Sequence, residues 1–373
     1  MRRTTQTLLL VGSVTGILSC GNAGGWTPVI GFAYADQSRA YLDLARATLL
    51  AGSRPVPRFL HDSTSHEESS ERALALAATF SGMREVAVVV GPSNSRLALA
   101  TAPAYNAAGL VHILPSATSR RLREAGATTF SLVPDDSVQG EYLAEFARRR
   151  FAPARTVVFY VNDEYGEGLR SGIVSALGRA GGAPAVAIPL GGGSDIPVLL
   201  DAALRRYRPE VIFSAGRSGE TGVLLRTVRR LAPGIPVVAG DGAYLPQVLR
   251  EEAGNDLSGL YVLAFWVFDS TDARHRAFAE RAERILGRPP APEDALTLDA
   301  LLLADAAARA SGPNRAAVRR WLEGLGRVSP PFHGLTGEIT FGAGRALPLA
   351  MVRFVGAHAE RLPDSLVTAA PAP

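Results

Sequence analysis

What most constrains this chain is its alternation of two kinds of segment. Between residues 29 and 355, apolar runs of strand length take turns with amphipathic stretches of helical length, the pattern that gives parallel sheets covered by helices on both faces. Residues 29–33 read as a strand, 38–50 and 71–80 as helices, and 86–90 as an uninterrupted apolar strand of the kind buried on both sides. Residues 97–108 read as a helix that Pro103 should disturb, and 111–114 as the next strand. A second series follows, with helices over 138–150, 168–180, 196–206, 221–231 and 245–252 and strands over 156–161, 185–189, 211–215 and 236–239. A long apolar helix over 295–310 and strands over 339–341 and 350–355 complete the pattern. At 373 residues the chain is long enough for two α/β units, each with its own core.

The formal net charge is +4, yet the sequence contains no lysine, so every fixed cation is an arginine. That excludes a P-loop lysine and a Schiff-base nucleophile. The arginines are mixed with acids along the predicted helices. The densest run, Arg148, Arg149 and Arg150, ends one of them, where cations suit the helix dipole. They read as solvated helix surface and not as a nucleic-acid interface.

At the amino terminus, Arg2 and Arg3 precede an apolar run over 8–18 that is too short to span a bilayer. Ile17-Leu18-Ser19-Cys20 then resembles the lipobox of bacterial lipoproteins, which implies a signal peptide over 1–20, acylation of Cys20, and a protein exported to the periplasm or cell surface and held to the membrane by lipid alone. An ordinary signal peptide with a coincidental cysteine is the alternative. Cys20 is the single cysteine, so no internal disulfide can form. Residues 21–25 read as a tether, and the Pro/Ala-rich stretch over 363–373 as a disordered tail.

Polar residues gather just after the predicted strands, the edge at which open α/β sheets bind ligands. Gly91-Pro92-Ser93-Asn94-Ser95 and Pro115-Ser116-Ala117-Thr118 each offer hydroxyl and backbone N–H groups to an anion, or serve simply as helix caps. In the second series, Asp163-Glu164-Tyr165-Gly166, Gly216-Arg217-Ser218-Gly219-Glu220 and Gly240-Asp241-Gly242 occupy the same position. Asp241 suits a cation, or marks an ordinary Asp-Gly turn. A GxSxG elbow, HExxH and a GxGxxG after the first strand are all missing, and the six histidines are scattered. The expectation is a protein without catalytic machinery, metal or cofactor.

At these turns the sequence resembles the branched-chain amino-acid-binding (Leu/Ile/Val-binding) family of ABC-transporter receptors. The residues that carry the resemblance are 90–95, 114–118, Pro134-Asp135-Asp136, 163–168 and 240–242, in the family's order. The resemblance implies the type I periplasmic binding protein fold: two Rossmann-like lobes with parallel sheets, joined by a hinge of three crossings. It implies that Ser95 and Thr118 hold the ligand carboxylate, that the backbone of Ser116 helps bind the ammonium, that the Tyr165 ring closes over the ligand, and that Asp241 pairs with the ammonium. The sequence departs from the family at Arg217 and Ser218, where an aromatic residue is usual. A cation there suggests an extra anionic group on the ligand. The first loop, near Tyr34 and Asp36, is also shorter than in the family.

The organisation expected is a first lobe of residues 26–134 and 266–340 and a second of 135–265 and 341–362. The lobes would close over an amino acid or similar small solute and present it to an ABC permease. A sensory module of the same fold contacting a partner protein, and a small-amide hydrolase, are the alternatives.

Overall fold

The structure is a computed structural model, and it describes residues 26–34, 38–61, 69–179, 185–191, 194–341, 349–356 and 358–366. The expectations about Cys20, the tether, Asp36 and the tail beyond residue 366 therefore lie outside the described residues.

The first part of the chain runs β1 (Val29–Phe32), α1 (Ser38–Ala51), β2 (Arg58–His61), α2 (Ser70–Gly82), β3 (Val86–Val90), α3 (Ser95–Ala107), β4 (Val111–Leu114) and β5 (Thr129–Ser131). These strands form a wholly parallel sheet in the order β2-β1-β3-β4-β5. Every side chain of β3 is shut off from solvent, because helices cover both faces. Pro103 does not break α3. It sits on the exposed side of the helix, where the ring meets solvent and only one intrahelical hydrogen bond is lost.

The second part runs α4 (Asp136–Phe151), β6 (Thr156–Val161), α5 (Glu164–Arg179), β7 (Val186–Leu190), α6 (Ile196–Tyr207), β8 (Val211–Ala215), α7 (Ser218–Leu231), β9 (Val237–Ala239), α8 (Pro246–Ala253) and β10 (Leu260–Ala264). The chain then returns to the first sheet. Of α9 (Ala273–Leu286), α10 (Pro292–Ser311) and α11 (Arg315–Gly324), α10 packs on β1, β3 and β4, α11 on β3 and β4, and α9 on α1. A short antiparallel hairpin follows, β11 (Phe332–Gly334) with β12 (Gly337–Ile339). The chain crosses once more to add β13 (Ala350–Val355) and β14 (His358–Arg361) to the second sheet, whose order is β14-β13-β10-β9-β8-β6-β7.

That sheet is not parallel throughout: β13 runs antiparallel to β10, and β14 antiparallel to β13. The two strands form a hairpin reached by the last crossing, and a tight hairpin forces antiparallel pairing. Beyond it, Asp364–Leu366 form a 3-10 turn, with Arg361 bonded to Asp364 at 3.2 Å, so order extends past residue 363. The strand expected over 339–341 is β12, displaced two residues towards the amino terminus.

Helices α4 and α5 cross at close range because glycines face each other. A Cβ on Gly140 would fall 2.3 Å from the backbone of Gly172, so the crossing has no room for any side chain. That approach brings the first turn of α4, near the passage between the lobes, against the first turns of α5.

Candidate ligand-binding cleft

The carboxyl ends of strands in both sheets open onto one cavity of about 440 Å³. The seven residues singled out in the sequence, Ser95, Ser116, Thr118, Tyr165, Arg217, Ser218 and Asp241, all line it. The first three come from the turns after β3 and β4, the other four from the turns after β6, β8 and β9. The structure also shows which of their polar atoms are committed elsewhere.

On the first lobe, Asn94 caps α3, its side chain accepting from Leu97 N at 2.8 Å. Ser95 is thereby released from capping. Its buried hydroxyl accepts from Thr118 N at 3.2 Å and Ser119 N at 3.1 Å, tying the two turns together. One backbone donor expected to be available to a ligand, Thr118 N, is thus spent within the protein, leaving the Ser95 hydroxyl proton to point elsewhere. Ser116 donates to Ser93 O at 3.2 Å. The Thr118 hydroxyl is buried and has no partner within hydrogen-bond geometry among the described residues.

On the second lobe, the Tyr165 hydroxyl donates to Asp241 Oδ1 at 3.2 Å and accepts from Gly242 N at 3.0 Å. The ring is buried against the Gly240-Asp241-Gly242 turn, where a Cβ on either glycine would lie 2.8–2.9 Å from the Tyr165 oxygen. Neither glycine has a positive φ, so the glycines are there for space and not for backbone conformation. Tyr165 is a wall of the cavity held to the turn of its own lobe. Burial pushes the Asp241 carboxyl up to about 6, partly offset by the hydroxyl that Tyr165 donates and by the nearby N–H groups of Gln139 and Gly242. Burial also raises the Tyr165 phenol, keeping it a donor at neutral pH.

Arg217 departs from expectation. Its guanidinium pairs with Asp163 at 2.7 Å and lies 5.5 Å from the centre of the Tyr165 ring. Its charge is paired within the second lobe, at the wall of the cavity. Ser218 likewise works inward, accepting from Leu245 N at 3.0 Å and lying 3.4 Å from Gly242 O. Between the lobes, Glu164 accepts from the Ser119 hydroxyl at 2.7 Å and from Arg121 at 2.9 Å.

Other lining residues were given no role in the sequence analysis, although Tyr34 marks its first loop. Tyr34 and Tyr41 belong to an aromatic cluster with Phe32. The Tyr34 hydroxyl is 3.0 Å from that of Thr297, and Tyr41 donates to Asp294 at 2.9 Å. Arg288 grips Asp294 through both amino groups, at 2.6 and 2.9 Å. Glu293, at the start of α10, and Tyr244, Leu245, Val248, Phe265 and Leu296 complete much of the wall. The signal for α10 was its Pro292 start followed by two acids; placing that start at residue 295 hid its contribution. Among the described residues no cluster of His, Cys, Asp and Glu could hold a metal ion, and no helix is long and apolar enough to cross a membrane.

Comparison with known proteins agrees with this architecture. The Leu/Ile/Val-binding protein BraC3 of Rhizobium johnstonii is 24% identical over 213 residues, covering 57% of this chain and 56% of that protein. The chain thus spans a little over half the length of the curated relatives it matches. The crystal structure of LivJ from Streptococcus pneumoniae, a branched-chain amino acid transporter substrate-binding protein in complex with isoleucine, superposes with a TM-score of 0.77 at 19% identity, over 90% of this chain and 98% of that one. A type 1 periplasmic binding protein from Bordetella pertussis superposes with a TM-score of 0.73 at 18% identity, over 91% and 100%. These likenesses show the type I fold. The family model described as periplasmic binding protein matches residues 64–355, and the chain belongs to that family.

Proposed function

We propose that this protein is the solute-capturing subunit of an ABC importer, holding an amino acid or similar small zwitterion between its lobes and delivering it to a membrane permease without catalysing any reaction. The lobes comprise residues 26–134 with 266–340 and 135–265 with 341–362, and acylated Cys20 tethers the exported protein. The observation that carries the reading is a single cavity with hydroxyl-bearing turns and the amino terminus of α3 on one side and the Asp241 carboxylate on the other. Desolvating a zwitterion is unfavourable unless both charges find partners. Ser95, Thr118 and the end of α3 suit the carboxylate. Asp241 suits the ammonium, helped by the backbone of Ser116. Tyr165 forms the wall beside them, and Arg217 and Ser218 fix that wall. Leu245, Val248, Phe265 and Leu296 offer an apolar lining to an aliphatic side chain. The names of the relatives, which bind leucine, isoleucine and valine, favour the same class.

Calorimetry with L-leucine and L-isoleucine, and with 4-methyl-2-oxopentanoate as the analogue lacking the ammonium, tests the reading. The amino acids are expected to bind and the keto acid to bind at least about thirtyfold more weakly, since an uncompensated buried charge costs about 2–5 kcal/mol. Small-angle scattering should show a smaller radius of gyration with saturating amino acid. Equal affinity for the keto acid would refute the zwitterion reading.

A further inference from the structure

Behind Asp241 lies a second carboxyl group that the cleft itself does not use. Asp136, in the first turn of α4, is 1% exposed, and Gln139, one turn later, is fully buried. Asp136 N donates to Thr118 O at 2.8 Å, which anchors this turn to the first lobe. The Asp136 carboxyl lies against Gly168, where a Cβ would fall 2.3 Å from its Oδ2. The Gln139 amide nitrogen is 3.4 Å from Asp136 Oδ1 and faces the Asp241 carboxyl. Gln139 Oε1 has no partner among the described residues, and the Thr118 hydroxyl and Asp136 Oδ2 face each other outside hydrogen-bond geometry. Buried polar atoms are rarely left that way.

We infer that Asp136 and Gln139 are positioning residues for Asp241, with Gln139 bridging the two carboxyl groups so that the pair presents one negative charge to the cavity. The inference rests on Asp241 being the cation-pairing group of the proposed site. The Gln139 amide nitrogen carries two N–H groups, one directed at Asp136 Oδ1 and the other facing ionised Asp241, which also receives the Tyr165 hydroxyl. Burial raises Asp136 well above the usual carboxylate range, and Asp241, Asp135 and Glu164 raise it further by repulsion, while Thr118 draws it down. The remaining charges facing the cluster are paired: Asp135 with Arg123, Glu164 with Arg121, and Asp163 with Arg217. Asp136 is therefore the carboxyl that keeps the proton, and Asp241 the one that carries the charge.

The test is a pH titration of the aspartate side-chain carboxyl 13C signals in the ligand-free full chain, with the Asp241 signal assigned by its loss in Asp241→Asn. Asp136→Asn, which keeps a neutral donor, should leave the Asp241 midpoint within about half a pH unit, whereas Gln139→Met should raise it by about one unit. If Gln139→Met does not fold, Gln139→Glu replaces it and should raise the midpoint through repulsion. A fall of a unit or more in Asp136→Asn would show that Asp136 is charged beside Asp241 and overturn the inference. An Asp241 midpoint unmoved by either substitution at Gln139 would overturn it too, leaving the turn a packing element only. No ligand is present, so failure here is separate from failure of the proposed function.

Discussion

Asp241→Asn should make the ligand-free protein more stable while destroying its binding. The folded carboxyl titrates at about 6 against an ordinary value of 3.8, chiefly because it is desolvated. Below pH 3.8 it is protonated whether the chain is folded or unfolded, and the substitution gains nothing. Above about 6 the folded carboxylate is ionised against its surroundings and the whole difference applies. About two pH units correspond to a ceiling of about 3 kcal/mol. Asp241 is only half-buried, so about 1–2 kcal/mol is the expected gain at pH 7.5, or a rise in Tm of about 2–6 °C. Asparagine keeps an acceptor for the Tyr165 hydroxyl. Thermal scans of both ligand-free proteins from pH 4 to 7.5 should show the advantage small at pH 4, growing between pH 4 and 6 and level above about 6, while calorimetry with L-leucine at pH 7.5 shows affinity reduced about thirtyfold or more. A variant no more stable than wild type at pH 7.5, or equally stabilised at pH 4, would refute the reasoning.

Gly242→Ala should destabilise the protein by about 1–3 kcal/mol and weaken leucine binding, because its Cβ would displace Tyr165 from the turn that carries Asp241; denaturant unfolding and calorimetry check both effects. Arg217→Ala should change leucine affinity less than about fivefold, since the partly exposed pair with Asp163 contributes little. A loss beyond tenfold would mean that Arg217 touches the ligand's anionic end. Cys20→Ala should release the protein from the membrane fraction or leave its signal peptide uncleaved, and a processed, membrane-bound variant would disprove the anchor.

The strands that carry the cleft were legible because they are largely apolar runs closed by Gly, Pro, Ser or Asp, as at Val86–Val90. The strand-end rule then located seven cavity residues. Short strands with charged ends, such as Arg58–His61, gave no such signal. Leu260–Ala264 is apolar but runs on into Phe265–Phe268 without a turn residue to close it. Helix Ala273–Leu286 buries His275, Phe278 and Ala282 at helical spacing between an Asp272 cap and Gly287, a pattern obscured by its many charges. What a sequence does not show is which polar atoms fold inward. Arg217 and Ser218 read as ligand contacts from position alone, and only the distances to Asp163 and Leu245 reveal their commitments. Asp136 and Gln139 act from behind the cleft, across a helix crossing that two glycines make possible.

Native mass spectrometry of the protein purified from its own host without added ligand, followed by identification of the released small molecule, tests most directly whether this cleft holds a zwitterion. The expected result is an amino acid carrying both a carboxylate and an ammonium group, bound one per chain and lost in Asp241→Asn. A bound compound with no cationic group, retained unchanged in Asp241→Asn, would contradict it.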